Sequence, residues 1–185
     1  MANPFIKNYP SPHKLYEQKY KTSRTNLLIV AILTAINLLL LVTNSTSYFP
    51  FSAFIPYFLT GVGMLVSGLL PEEDYTVMFE ETGAIDNSAF VILLVISLII
   101  ILAYLLTWFM SGKQRVGCLI FALVLFSIDT LGMLFINGVS FDWILDILFH
   151  AWVIYSLIAG ISAHYKLKKL PPEEEPTFFD GATAQ

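Results

Sequence analysis

Residues 48–70 read YFPFSAFIPYFLTGVGMLVSGLL, and whether this apolar run crosses a membrane decides how the rest of the chain is organised. Its length is sufficient, since a spanning helix needs about 20 predominantly apolar residues. Its interior argues against a crossing. Pro50 and Pro56 fix φ and remove backbone donors, and Gly61, Gly63 and Gly68 weaken whatever helix follows. Only the part after Pro56, about 14 residues, reads as continuous helix, a length typical of a re-entrant or interfacial segment. The aromatic-rich start (Tyr48, Phe49, Phe51, Phe54, Tyr57 and Phe58) suits the same reading.

Charge placement outside this run fixes the number of crossings. The ten Lys and Arg residues fall in three blocks: Lys7, Lys14, Lys19, Lys21 and Arg24; then Lys113 and Arg115; then Lys166, Lys168 and Lys169. No basic residue lies between Arg24 and Lys113. Basic residues favour the cytoplasmic side of a membrane. Four spans, with all of Asn44–Asn87 outside, put all ten inside, whereas five spans would divide them five and five. The expected fold is therefore an all-α integral membrane protein. It is a four-transmembrane-helix bundle with a re-entrant or interfacial helical segment, Tyr48–Leu70, in the first outer loop.

The expected spans are Asn26–Thr43, Ser88–Met110, Val116–Ile136 and Asp142–His164 within a transmembrane domain of residues 25–165. Residues 1–24 form a cytoplasmic N-terminal segment and 166–185 a cytoplasmic tail, which Pro171, Pro172 and Glu173–Glu175 mark as disordered. The location is then the cell membrane, with both termini in the cytoplasm. Ser11-Pro12 is a helix-start signature, and a helix beginning there would run along the inner surface before the first span. The first apolar stretch is too long for a signal-peptide core and reads as a retained span. Asn44-Ser45-Thr46 is a glycosylation pattern of little weight. The six outer acids, Glu72, Glu73, Asp74, Glu80, Glu81 and Asp86, read as a solvated loop.

Composition agrees with this assignment. Hydrophobic residues make up 56% of the 185 and charged residues 13%, about half the charged share of a soluble domain. One cysteine, Cys118, excludes an intramolecular disulfide and a thiolate metal cluster within one chain. The partners expected are the lipid bilayer and a membrane-protein partner or second copy, not nucleic acid. Gly63-xxx-Ser67 is spaced for helix association.

Three acids fall within the expected spans: Asp129 in the third, and Asp142 and Asp146 in the fourth, with His150 one step further. A carboxylate inside a membrane costs about 2.5–3.5 kcal/mol even on the lenient insertion scale, so each needs a reason. Asp142, Asp146 and His150 follow an i, i+4, i+8 stripe. A rise of about 1.5 Å per residue puts Asp129 roughly 10 Å, Asp146 about 6–8 Å and His150 about 12 Å below the outer helix ends, with Asn37 level with them at about 9 Å. Small residues on the Asp129 face, Cys118, Ala122 and Gly132, permit close helix approach.

Asn37, Asp129, Asp146 and His150 are therefore the candidate cluster, with Asp142 at the water interface near the helix start. A functional version is a proton- or cation-handling site, with Asp129, Asp146 and His150 as ligands for a divalent cation. A structural version has Asp142 favouring the positive end of its helix, Asp146 and His150 satisfying each other, and Asp129 hydrogen-bonding Asn37.

Gly138-xxx-Asp142-xxx-Asp146 is similar to the second half of the CDP-alcohol phosphatidyltransferase signature, but the Asp-Gly and Ala-Arg of the first half are absent around Asp129. No Gly-x-Ser-x-Gly, His-Glu-x-x-His or phosphate-cradling loop occurs. The sequence favours a non-enzymatic accessory or partner-binding membrane protein. The alternative is a small transporter or metal-dependent membrane enzyme built on the Asp/Asp/His cluster.

Overall fold

The computed structural model describes residues 11–70 and 87–172, apart from the side chain of Asp142. Every element among them is helical: α1 (Pro12–Val42), α2 (Phe54–Val66), α3 (Ser88–Ser111), α4 (Val116–Asn137), a 3₁₀ turn (Phe141–Trp143) and α5 (Ile144–Leu167). Four of these, α1, α3, α4 and α5, are long and apolar enough to cross a membrane, and α2 is a shorter apolar helix. The six outer acids and the tail beyond residue 172 lie outside the described residues.

Local chemistry sets the helix boundaries. Ser11 caps α1, its hydroxyl accepting from the Lys14 N–H at 3.4 Å, and Pro12 follows at the first position. No proline or glycine interrupts the chain between there and Val42, so α1 is one continuous 31-residue helix. The helix expected to begin at Ser11-Pro12 starts there and continues without a break into the first long apolar stretch.

Asn44 ends α1 in the left-handed region at φ 54°, with the Ser45 N–H bonded to Leu40 O and the Asn44 N–H to Leu41 O. Gly68 ends α2 in the same way at φ 66°, with the Leu69 N–H bonded to Met64 O and the Gly68 N–H to Leu65 O. Both are Schellman closures, which satisfy the last carbonyls of a helix. The last helix starts at Ile144, two residues after the expected Asp142, because residues 141–143 wind as a 3₁₀ turn.

The four long helices form a ring in which α1 touches α5 and α3, and α4 touches the same two. Two close approaches fix it. Gly160 of α5 lies directly against Ser23 of α1, with no room for a Cβ. A Cβ on Gly63 of α2 would sit 3.1 Å from the Phe90 Cα and 3.3 Å from the Leu93 Cβ of α3. The Ser67 hydroxyl accepts from the Phe90 N–H at 3.3 Å. The Gly63-xxx-Ser67 spacing therefore serves packing of α2 on α3 within the chain, and that face is already covered.

One end of the ring collects the charge. Apart from Lys7, which lies outside the described residues, the basic residues sit at the start of α1, in the α3–α4 turn and at the end of α5. Arg24 Nε donates to Ser111 Oγ at 3.0 Å and Nη2 to Trp108 O at 3.3 Å, so the guanidinium caps the C-terminal turn of α3. The Tyr20 hydroxyl donates to Ser111 O at 2.8 Å.

Candidate functional site

The chain leaving α1 at the end remote from the charges turns back into the bundle between the helices. Asn37, fully buried in α1, holds this descending limb. Its Nδ2 donates to Phe49 O at 2.7 Å and to Ser52 Oγ at 2.8 Å, and its Oδ1 accepts from the Phe49 N–H at 2.9 Å. The limb reverses at Phe51, whose φ of 76° is a left-handed conformation costly for a bulky residue. Packing holds it there, with the Phe51 ring 5.2 Å from Phe149 and 4.8 Å from Trp152. From Phe54 onward α2 climbs back out, so its N-terminus lies buried among α1, α3 and α4.

A helix N-terminus buried without partners would leave four backbone N–H groups unsatisfied. Here each is accounted for. The Ala53 N–H donates to Thr34 Oγ1 of α1 at 2.8 Å. The Phe54 and Ile55 N–H groups donate to the two carboxylate oxygens of Asp129 in α4, at 2.9 and 2.7 Å. Pro56, next in line, has no N–H to satisfy. Asp129 is therefore the cap of α2, supplied from another helix, and its carboxyl oxygens sit at the positive end of that helix dipole.

His150 of α5 closes the far side of the carboxylate, with Nε2 3.2 Å from Asp129 Oδ2. Its ring stacks on Phe126 at 5.0 Å, and its Nδ1 lies 2.8 Å from the Asp146 carbonyl oxygen. A carbonyl only accepts, so Nδ1 carries a proton. Nε2 then faces Asp129 either as a second N–H or as an acceptor from a protonated carboxyl. Both arrangements place one shared proton between the two groups and leave the pair without net charge.

Asp146 faces elsewhere. Its carboxylate accepts from the Tyr48 hydroxyl at 3.4 Å, and Tyr48 lies 3.3 Å from Ser52 Oγ. The phenol is the donor in this contact, because a carboxylate oxygen accepts. Asp142 sits in the 3₁₀ turn before α5, and its side chain lies outside the described residues.

Of the expected cluster, the fold joins Asp129 to His150 and brings Asn37 and Asp146 to the same re-entering loop. The expected Asn37–Asp129 hydrogen bond is not formed, because Asn37 spends its amide on Phe49 and Ser52. Asp146 and His150 meet through the Asp146 backbone carbonyl and not through their side chains. Among the described residues no three His, Cys, Asp or Glu side chains gather as a metal-binding group. Sequence reasoning missed Thr34, Tyr48 and Ser52 as partners. Thr34 shares the polar stripe of Asn37, and that was the available signal.

These features define a class: an all-helical bundle whose four long apolar helices are compatible with a multi-pass membrane protein, with a fifth helix inserted between them. Comparison with protein-family models, with curated proteins and with solved structures finds no match.

Proposed function

We propose that this chain is a four-span membrane protein with α2 as a re-entrant helix and both termini in the cytoplasm, and that it works through partners and not by chemistry of its own. The observation that carries this reading is the use made of Asp129. The carboxylate best placed for catalysis or ion binding spends its oxygens on two backbone N–H groups and one imidazole. It is a structural clamp on α2, leaving the outer loop and the basic end as the surfaces for a membrane-protein partner or a second copy. Collection of the described basic residues at one end supports the orientation.

A second reading rests on the shared proton of Asp129 and His150, which a small transporter would use as a relay. Proteoliposomes carrying a pH gradient separate the two. The clamp reading expects proton flux no faster than in protein-free vesicles, with or without added Mn²⁺ or Zn²⁺. It also expects the chain to run in native membranes as an assembly larger than its 20.8 kDa monomer. Flux that requires His150, lost in His150→Ala, would make the protein a transporter.

A further inference from the structure

Along the basic half of the α1–α5 seam the side chains leave two adjoining surface grooves. One of about 330 Å³ lies on the Asn26 and Trp152 side, and one of about 240 Å³ lies on the Tyr16 and Lys166 side. Lys19, Tyr155 and Ala159 line both, so the two form one channel running from the basic end inward. Its mouth carries two ammonium groups, Lys19 and Lys166. Neither makes an ion pair among the described residues, where the pair Lys21–Glu17 at 2.6 Å uses the nearby acid. At about 100° per residue Glu17 projects from the opposite side of α1 to Lys19. Lys166 Nζ stands 5.8 Å from the centre of the Tyr16 ring.

Gln18 stands beside Lys19 at the mouth, and Thr22 and Asn26 continue the Lys19 face of α1 inward for roughly 10 Å, a polar line where a lipid-facing stripe is ordinarily apolar. The floor is closed by Asn26 Nδ2 donating to Ser156 Oγ at 2.7 Å. The wall is aromatic, with Trp152 and Tyr155 both exposed. A cationic mouth, a polar neck and, further in, exposed aromatic rings match one kind of molecule. Basic pockets between spanning helices on the cytoplasmic side recognise anionic head groups.

We infer that this seam binds an anionic phospholipid of the cytoplasmic leaflet, its phosphate held between Lys19 and Lys166 and an acyl chain laid against Trp152. The inference rests on the membrane reading proposed above. The order of groups along the channel follows the order within a phospholipid, from charge through ester to hydrocarbon. An amphipathic protein helix would instead need an apolar mouth.

The test uses the full chain in micelles and in vesicles of defined composition. Native mass spectrometry with equal amounts of phosphatidylglycerol and phosphatidylcholine is expected to show preferential retention of phosphatidylglycerol by the wild type, a readout that needs no variant. A lysine beside an anionic lipid surface contributes about a factor of five. Lys19→Gln with Lys166→Gln is therefore expected to lower that retention about 20-fold. Lys113→Gln with Arg115→Gln, which removes equal charge from the same end, is expected to leave it within twofold. Equal retention of the two lipids by the wild type, or equal loss in both double variants, overturns the site. Vesicle flotation tests the membrane reading separately: a chain that fails to float with vesicles overturns that reading, whereas one that floats without lipid preference overturns only the site.

Discussion

Replacing Asp129 by Asn tests the clamp with almost no change of shape. The carboxylate, 2% exposed, receives the Phe54 N–H on one oxygen and the Ile55 N–H on the other, with His150 against the first. An asparagine offers one acceptor oxygen, so one of the two N–H groups would face an NH₂ and lose its partner. A buried backbone donor left unpaired costs about 1–3 kcal/mol. The charge matching with His150 is lost as well, and removing one member of a buried pair costs about 3–5 kcal/mol in all. That is a large part of a total stability of about 5–15 kcal/mol.

Two measurements read it in a Cys118→Ala background. Unfolding by SDS titration should shift by about 3–5 kcal/mol. Maleimide labelling at Ser52→Cys, a site 1% exposed at the bottom of the re-entering loop, should speed up at least tenfold as α2 loosens (about 1.4 kcal/mol corresponds to tenfold). Asp146→Asn, which disturbs one 3.4 Å contact with Tyr48, serves as the control and should change little. A stability loss under about 1 kcal/mol for Asp129→Asn, with labelling unchanged, would refute the capping argument.

Two further outcomes follow from the same geometry. Thr34→Val keeps the shape but removes the acceptor of the Ala53 N–H at 2.8 Å. It should cost about 1–2 kcal/mol by SDS titration, and Thr34→Ser should recover most of that. Gly63→Val would force a side chain against the Phe90 backbone at 3.1 Å and should destabilise by about 1–3 kcal/mol. Gly61→Ala, whose Cβ would meet only Leu41 Cδ2 at 3.9 Å, should be neutral or raise the midpoint in the same assay.

The number of long apolar helices was legible because it rests on local chemistry. Pro12 behind Ser11 announces the start of α1, Gly68 ends α2, and long apolar runs without proline continue until a turn residue stops them. The broken character of residues 48–70 was legible for the same reason: Pro50, Pro56 and three glycines cannot form one smooth span. The pairings were less so. Asp129, His150, Asn37 and Asp146 were placed at one level by rise per residue, but which meets which depends on the rotation of each helix about its axis. A shift of one residue turns a side chain by about 100°. The principal partners of Asp129 are backbone N–H groups, and these carry no sequence label. Only their position next to Pro56, where a helix must begin, hints that an acceptor is required nearby.

Asp129 and α2 solve each other's problem, and this explains why an acid sits so far from either end of α4. A helix that begins deep inside an apolar bundle brings unsatisfied donors and a partial positive charge of about half a unit. An isolated carboxylate buried at the same place brings a desolvation penalty of several kcal/mol. Joined, the two hydrogen bonds, each worth about 1.5–3 kcal/mol when the acceptor is charged, offset the cost of the acid, while the acid removes two of the orphan donors. Thr34 takes the third and Pro56 eliminates the fourth. His150 then neutralises what charge remains by sharing one proton with the carboxylate. Each feature that looked anomalous in the sequence, the mid-helix acid, the buried histidine and the proline-broken apolar run, is what the other two require.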